Sequence, residues 1–477
     1  MRTTKRNQSF ARLAALLIVV SMIALPGFAA SRGSANFTTL VAIGDSYGAG
    51  FESNSLNERH QAYSWPAILA RQVGLPLCTP TSTVTDVCFA QPLVSYPGIG
   101  PEMVLVDLKP TIGLAGGGTA QGAPIMSTFG RAYNNVSIPG ANVADVTTIK
   151  GNEAQPTRGV EQLARFILRG QATEVDSVLS LHPTFIAIWI GGNDFLGSVT
   201  AGTPKLLTPT AAFRTAYNAM LDRLIAGAPS AGMVVGTLPT NPAAVPFLTT
   251  VPPVLVDSTT RQPILVGGKP FFFISDLGDG TVGQLPPGSF VLLSALSKIQ
   301  SGFGLPGVAP FNALPNAGKP LSDNDTITPA EMTTMLARVN EYNGVINEAA
   351  AARNIPVADI KGLFDTFASG KLFVGPFNLT SSYITGGLFS LDGVHLTDIG
   401  YTLFANEYIK AINRGYDAGI PLASLTTLFQ DNGAHFGGFD SAQVQDTSNL
   451  VVTPEASVSM LRILQPVQQK RLRAVGH

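Results

Sequence analysis

Residues 39–46 read Thr-Leu-Val-Ala-Ile-Gly-Asp-Ser, and this stretch decides the fold. Five apolar or β-branched residues are followed at once by a glycine and two short polar residues. A continuous apolar run of this length is typical of a strand buried on both faces of a parallel sheet. In open parallel sheets, ligands bind beyond the carboxyl ends of the strands. The polar residues that follow the run are therefore candidates for a functional site.

Three further apolar runs predict strands of the same sheet. They are Thr184–Ile190, Met233–Leu238 and, less clearly marked, Ile355–Ile360. Helical patterns lie between these runs and after the last of them. Strands that alternate with helices predict a parallel sheet that is covered by helices on both sides.

Three helices are marked clearly in the sequence. One starts at Thr208-Pro209, and a second starts at the capping box Thr328-Pro329-Ala330-Glu331, with proline at the first helical position. The last has apolar residues at helical spacing between 403 and 412. Their methionine and aromatic stripes are expected to face the core.

The composition excludes several classes of protein. The chain has 477 residues, of which 45% are hydrophobic and 13% are charged, so a disordered polyampholyte is excluded. With 30 basic and 31 acidic residues, no net charge attracts DNA or RNA, and we expect no nucleic-acid partner. Two cysteines are too few for a disulfide scaffold or a four-thiolate zinc site.

Residues 1–30 have the pattern of a secretory signal peptide. A basic start precedes the uncharged run Leu13–Leu25, which is shorter than the roughly 20 residues that span a bilayer. Small residues offer cleavage after Ala29 or Ala30. We expect an exported protein, periplasmic or extracellular, and an uncleaved N-terminal anchor is the alternative. In an oxidising compartment Cys78 and Cys88 could form a local disulfide, and two unpaired thiols are the alternative.

The rest of the chain divides into one domain with an insertion and an extension. Residues 31–415 are predicted to form a single α/β domain. Segment 241–320 is rich in proline and phenylalanine and poor in charge, so it cannot be a regular strand–helix unit. Two interpretations are open: the segment forms a cap over a site, or it is a loop that packs on the rest of the domain. Residues 416–477 lack clear periodicity, and no role is assigned to them.

Three short polar segments carry the candidate chemistry. Ile43–Tyr47 and Ile190–Asp194 each follow a predicted strand, so both are expected at the same edge of the sheet. Asp392–His395 precedes the last helix. A serine hydroxyl needs a base to become a nucleophile, and a histidine oriented by a carboxylate is such a base. Among the five histidines, only His395 has an acidic residue three positions before it.

Together these segments resemble the GDSL-type, or SGNH, hydrolases, a superfamily of serine esterases and lipases. The resemblance covers roughly residues 37–415. It implies a flavodoxin-like three-layer α/β/α sandwich with a parallel central sheet and long insertions. It also implies Ser46 as the nucleophile, His395 as the base, Asp392 as its partner and the Asn193 amide as an oxyanion donor. No cofactor and no metal are implied.

A glycine N–H also serves as an oxyanion donor in that family. The best fit is Gly140 within Asn135–Ala141, and the Ser46 N–H would be the third donor. Two positions depart from the family's pattern. Tyr47 replaces the leucine of the family's short name, which puts the size of the acyl pocket in doubt, and Leu396 replaces a common proline.

The expected substrate is a lipid or another acyl ester, because the chain is apolar and poorly charged. This leaves contact with a membrane or lipid surface open. O-deacetylation of a polysaccharide on the same site is the main alternative. A metal-dependent phosphoesterase that uses Asp45, Asn193, Asp194 and His395 is a lesser alternative. A non-catalytic exported binding protein on the same scaffold is another.

Overall fold

The structure is a computed structural model that describes residues 33–107, 110–153, 159–257, 260, 262–374, 377–430 and 450–464. The predicted signal peptide therefore lies outside the described residues. The strands, in chain order, are β1 (Leu40–Gly44), β2 (Met103–Asp107), β3 (Thr111–Leu114), β4 (Phe185–Trp189), β5 (Gly232–Gly236), β6 (Leu265–Val266), β7 (Lys269–Pro270), β8 (Ile274–Asp276), β9 (Val282–Gln284), β10 (Phe290–Val291), β11 (Thr326–Ile327), β12 (Val357–Ala358), β13 (Leu372–Val374), β14 (Phe377–Leu379) and β15 (Val451–Val452).

The two helices whose starts were marked in the sequence begin close to those positions, at Thr210 and Pro329. Thr328 caps the longer of them with the expected capping box. In chain order the α-helices are α1 (Ser46–Ala49), α2 (Glu58–Gln61), α3 (Trp65–Gln72), α4 (Asp145–Thr148), α5 (Gly159–Leu168), α6 (Glu174–Leu179), α7 (Asn193–Thr200), α8 (Thr210–Gly227), α9 (Pro246–Thr249), α10 (Leu296–Gln300), α11 (Pro329–Ala351), α12 (Ile360–Ser369), α13 (Asp398–Tyr416), α14 (Leu425–Gln430) and α15 (Pro454–Leu464).

The central sheet is parallel and has the order β1-β4-β5-β12. These are the four strands predicted from the apolar runs, and every residue of β1, β4 and β5 is buried. Strand β12 is shorter than the predicted run 355–360. It ends early because the Asp359 carboxylate already caps α12, accepting the Gly362 N–H at 2.9 Å.

Residues 134–138 extend the sheet on the other side of β1. The Ala42 N–H donates to the Asn134 carbonyl at 2.8 Å, and the Ile138 N–H donates to the Gly44 carbonyl at 3.0 Å. The bridge between Ala42 and Asn135 is parallel. The spatial order is then residues 134–138, β1, β4, β5 and β12. Numbered by their order along the chain, these five segments read 2-1-3-4-5, which is the flavodoxin-like order.

Helices cover this sheet in two groups. Helices α3, α12 and α13 pack together, with α13 against β5 and β12, while α6, α8 and α11 form a second group that contacts β1 and β5. The main core fills the space between the sheet and these helices. The three-layer α/β/α fold predicted from the sequence is therefore confirmed.

The 241–320 segment contributes to a second hydrophobic core. Its short antiparallel pairs are β6–β7 and β8–β9, and β10 pairs with β11 just beyond it. Strands of two or three residues suit a segment in which proline repeatedly removes a backbone donor. Phe247, Leu285 and Val291 are buried in this core together with Ile112 from β3.

Residues 450–464, for which no element was expected, pack on this second core. Strand β15 pairs in parallel with β3, and Val452 and Ala456 are buried among its side chains. The Ser457 hydroxyl donates to the Ser294 carbonyl at 2.9 Å. This part of the predicted extension is therefore joined to the body.

Cys78 and Cys88 form the local disulfide, with their Cα atoms 5.1 Å apart. The bridge packs in a small apolar cluster with Met126, Phe129 and Tyr133. Within the described part of the chain, no helix has the length and apolar character needed to cross a membrane.

Candidate active site

Ser46 is the first residue of α1 and follows β1 after one intervening residue, Asp45. The Asp45 carboxylate caps the helix by accepting the Tyr47 N–H at 3.0 Å. A Cβ at Gly48 would lie 2.2 Å from Ser137 Oγ, so only glycine allows this short helix to pack directly on the 134–138 segment. The local sequence thus holds Ser46 at the carboxyl edge of the sheet.

His395 and Asp392 lie in a buried turn just before α13. His395 Nδ1 is 2.9 Å from Asp392 Oδ2, while Oδ1 accepts the His395 backbone N–H at 2.8 Å. The Asn54 N–H also donates to Oδ2, at 3.0 Å. Gly393 has a φ of 72°, a left-handed conformation that glycine adopts without strain. The turn is therefore fixed by its own backbone and by the loop that carries Asn54.

Electrostatics keep Asp392 ionised. Burial acts to raise the pKa of Asp392, but the His395 imidazole and the N–H groups of Val394 and His395 outweigh burial and lower that pKa to about 2. An ionised carboxylate at Nδ1 orients the ring so that Nε2 points away from it.

His395 Nε2 lies 2.8 Å from Ser46 Oγ, although the two residues are 349 positions apart in the chain. Ser46, His395 and Asp392 are all buried. The three side chains form one continuous chain of hydrogen bonds from hydroxyl to imidazole to carboxylate. In such an arrangement the imidazole can take the serine proton, and the carboxylate can stabilise the imidazolium that results.

Asn193 opens α7, which follows β4 after three intervening residues, at the same sheet edge as Ser46. Its side-chain Nδ2 donates to the Ala141 carbonyl at 2.9 Å, next to Gly140 in a turn where Gly140 has a φ of 85°. Ser46 and Asn193 line one cavity, whereas Gly140 is not among its lining residues. The structure brings the Asn193 and Gly140 segments together, and their roles as oxyanion donors stay predictions.

Ser46 lies in the wall of a cavity whose lining is mostly apolar. The first residues of the 241–320 segment and one face of α11 supply much of its wall. Its apolar lining includes Leu196, Val199, Val245, Leu248, Met332, Met335, Leu336, Val339 and Phe364. The cavity can therefore hold an apolar group next to the serine.

Tyr47 has a role that its place in the sequence did not reveal. Its hydroxyl donates to the Val394 carbonyl at 2.7 Å, and its ring centroid is 5.6 Å from that of His395. The residue lines the cavity and at the same time holds the turn that carries the imidazole. Sequence reasoning had linked Tyr47 to the size of the acyl pocket alone.

Two buried acids beneath the site, Glu174 and Asp194, hold its backbone, a role that the sequence did not indicate. Glu174 Oε2 accepts the Gly44 N–H at 3.2 Å, at the end of β1. Burial raises the pKa of Glu174, and the nearby charge of Asp45 raises it further. Asp194 Oδ2 accepts the Val143 N–H at 3.0 Å and so ties the Asn193 segment to the Gly140 segment. No spacing in the sequence links these residues.

The metal-site alternative does not match the geometry around His395, whose two ring nitrogens contact Ser46 and Asp392. Among the described His, Cys, Asp and Glu side chains, those close enough to share an ion are Glu52, His60 and Asp398.

Comparison with protein families decides the family to which the chain belongs. A model described as GDSL-like lipase/acylhydrolase matches residues 40–408. The chain belongs to this family. It is accordingly an enzyme, a GDSL-type carboxylic ester hydrolase, and the resemblance seen in the sequence motifs is confirmed. The sequence matches none of the curated proteins with which it was compared.

Solved structures similar to this GDSL hydrolase include other esterases and lipases. A GDSL-like lipase from Parabacteroides merdae is 13% identical, with a TM-score of 0.32, over 83% of this chain and 100% of that one. Phospholipase A1 from Streptomyces albidoflavus is 14% identical, with a TM-score of 0.30, over 81% and 100%. A family 3 carbohydrate esterase from Clostridium thermocellum is 12% identical, with a TM-score of 0.32, over 80% and 98%.

Proposed function

We propose that the chain hydrolyses esters of apolar acyl groups through an acyl-enzyme, with Ser46 as nucleophile, His395 as general base and Asp392 as its partner. The observation that carries this proposal is the 2.8 Å contact between Ser46 Oγ and His395 Nε2 at an apolar cavity. Membership of the GDSL family supplies the reaction class.

In the first step, Ser46 Oγ bonds to the acyl carbon and its proton passes to His395 Nε2. The carbonyl oxygen becomes an oxyanion, which receives hydrogen bonds from the Asn193 amide and from the N–H groups of Gly140 and Ser46. A carboxamide nitrogen carries two hydrogens. One hydrogen of Asn193 Nδ2 is used on the Ala141 carbonyl and orients the group, and the second serves the oxyanion.

The intermediate then collapses, and His395 gives its proton to the departing alcohol. A water molecule next loses a proton to His395 and attacks the acyl-enzyme, which frees the acid and restores the Ser46 hydroxyl. Throughout, Asp392 stays ionised and stabilises the imidazolium, in keeping with its pKa of about 2.

The apolar cavity supports a lipid or a medium-to-long acyl ester as the substrate. Burying one methylene group contributes about 0.8 kcal/mol, so each added carbon that enters the cavity improves recognition by roughly fourfold. The aliphatic side chains of α11 and of residues 245–248 are the surfaces that such an acyl chain would contact.

Export of the protein is part of the proposal. The basic and apolar pattern of residues 1–30 supports it, and so does the Cys78–Cys88 disulfide, because such bonds persist in oxidising compartments.

The test compares residues 31–477 with their Ser46→Ala variant on nitrophenyl esters from acetate to dodecanoate. Ser424→Ala, at an exposed serine, is the matched control. We expect turnover in the parent and the control, loss in Ser46→Ala, and the highest kcat/KM on the longer acyl groups. Undiminished turnover in Ser46→Ala would refute the mechanism. A maximum at acetate would instead favour an O-deacetylase.

A further inference from the structure

Four titratable side chains meet in a buried cluster that the proposed reaction does not use. His60 on α2 is 3.2 Å from Glu52 Oε2 and 4.0 Å from Asp398 Oδ1, both measured from its Nδ1. Its Nε2 is 3.0 Å from Glu102 Oε1. The side chains of Glu52, His60 and Asp398 are at most 2% exposed, and that of Glu102 is 13% exposed.

The charge of this cluster is poorly balanced by its own members. Three carboxylates surround one imidazole, so ionised carboxylates leave a net negative charge even when the ring carries a proton. Holding such charge out of water is costly unless a cation compensates it. Independently, the buried Glu52 Oε1 has no hydrogen-bond donor among the described residues, while Oε2 faces His60 Nδ1 at 3.2 Å. Buried carboxylate oxygens are normally satisfied, so Glu52 points to a ligand.

The separations between the donor atoms suit a small metal ion. One ligand atom from each of Glu52, His60 and Asp398 lies within 4.8 Å of the others. A tetrahedral ion with bonds of about 2.1 Å places its ligand atoms roughly 3.4 Å apart. The observed 3.2 and 4.0 Å lie on either side of this value, so small side-chain shifts would complete the geometry.

The fourth residue matches the usual surroundings of a metal-bound histidine. Such a histidine donates its other ring N–H to a carboxylate or carbonyl, which fixes the tautomer and the ring orientation. Glu102 stands at this position on His60 Nε2, and it leaves Nδ1 directed to the side of Glu52 and Asp398.

We propose that Glu52, His60 and Asp398 bind a divalent transition-metal ion of the zinc type, with Glu102 orienting the histidine. An imidazole beside carboxylates suits zinc and its neighbours, whereas calcium and magnesium prefer oxygen ligands alone. The charge of the ion would offset the buried carboxylates.

The ion would brace the loop that supports Asp392. Glu52 is followed by Ser53 and Asn54, whose N–H groups donate to Ser390 Oγ at 2.9 Å and to Asp392 Oδ2 at 3.0 Å. Asp398 belongs to the first turn of α13. The metal would join these two segments behind the imidazole, away from Ser46, and would act on stability rather than on the ester. This proposal is independent of the proposed function.

The test uses tag-free residues 31–477, stripped with chelator, exposed to zinc and freed of excess ion by gel filtration. We expect about one zinc per chain by elemental analysis and a melting temperature at least about 3 °C above that of the stripped protein. X-ray absorption at the zinc edge should show one imidazole, oxygen ligands and no sulfur.

Variants then locate the ion. Glu102→Gln should weaken zinc binding by about 10- to 100-fold, and Glu52→Gln should weaken it more. Glu348→Gln, at an exposed carboxylate, is the matched control and should bind as the parent does. No retained zinc, binding of calcium alone, affinity unchanged by Glu52→Gln, or a spectrum without an imidazole would each overturn the proposal. The spectrum of the parent decides the matter if a variant does not fold.

Discussion

His395 and His60 are both buried to the same degree and both contact carboxylates, yet their surroundings suit different chemistry. His395 has Asp392 on one ring nitrogen and the Ser46 hydroxyl on the other. His60 has Glu102 on one ring nitrogen and Glu52 near the other. A hydroxyl offers a proton for a base to take, whereas an ionised carboxylate offers none.

The two regions also differ in access to an organic substrate. Ser46, the hydroxyl partner of His395, lines the apolar cavity, whereas Glu52, His60, Glu102 and Asp398 do not line it. The two proposed roles, base for His395 and cation ligand for His60, therefore rest on two differences: the group on the second ring nitrogen, and whether that group reaches a cavity. Exposure and contact with an acid do not distinguish the two histidines.

The largest predicted effect comes from replacing each histidine by glutamine. His395→Gln should lower kcat on nitrophenyl butyrate by about 10⁴- to 10⁶-fold, because the serine loses its base. His60→Gln should destabilise the fold by about 3–5 kcal/mol, because it removes one partner from a buried ionic cluster. Its folded fraction should keep kcat within about tenfold. Turnover measures the effect on kcat, and urea unfolding measures the effect on stability. Equal losses of kcat in both variants would contradict the different roles assigned to His395 and His60.

The acid beside each histidine gives the next largest contrast. Asp392→Asn should lower kcat by about 10³- to 10⁴-fold, because the amide neither holds the required tautomer nor stabilises the imidazolium. Glu102→Gln should leave kcat within a few-fold of the parent. The same turnover assay checks both variants, and a parent-like kcat for Asp392→Asn would contradict the assigned pairing.

A variant of Asn193 tests whether its side-chain amide acts as an oxyanion donor at the Ser46 site. Asn193→Ala should lower kcat by about 10²- to 10³-fold with little change in KM, because the hydrogen bond forms only as charge develops. Asn218→Ala, on an exposed part of α8, is the matched control. A change in KM alone would assign Asn193 to substrate binding instead.

The pKa of Asp392 predicts how stability depends on pH. Its folded value of about 2 lies below the ordinary 3.8, so the ionised form stabilises the fold. This contribution is full above about pH 4 and is lost as pH falls through about 2. At about 1.4 kcal/mol per unit it amounts to about 2 kcal/mol. Urea unfolding between pH 5 and pH 2 should therefore show a steeper loss in the parent than in Asp392→Asn, and parallel curves would contradict the pairing.

The smallest effect concerns the acyl cavity. Leu336→Trp should fill part of it and lower kcat/KM on the octanoate ester by about tenfold, equivalent to one or two buried methylene groups. The acetate ester is the internal control and should be hydrolysed as before. Equal losses on both esters would show that the substitution disturbs the site rather than the acyl pocket.

The main sheet could be predicted from sequence because of how its strands are buried. Strands β1, β4 and β5 are covered on both faces, so each appears as a continuous apolar run. The serine segment could also be placed, because it directly follows β1. The Asp392–His395 segment could be recognised because only this histidine has an acidic residue three positions before it. The strands of short pairs such as β6–β7 have only two residues each, which is too few to show a pattern of apolar and polar residues, so they could not be predicted.

The His60 cluster could not be predicted in the same way. Glu52, His60, Glu102 and Asp398 come from four segments, and only tertiary packing brings them together. In the sequence, His60 is a histidine in a polar stretch with no signal that it is buried. The contact between the Tyr47 hydroxyl and the Val394 carbonyl could not be predicted for a similar reason, because the two residues are 347 positions apart.

The most direct measurement of the central claim is peptide mapping of the protein after reaction with a fluorophosphonate. These reagents phosphylate a serine only when a neighbouring base activates it. The account predicts one adduct, on Ser46, and a labelling rate that collapses in His395→Gln but persists in folded His60→Gln. An adduct on another serine, or no adduct in folded protein that hydrolyses esters, would contradict the assignment of Ser46 and His395 as the catalytic pair.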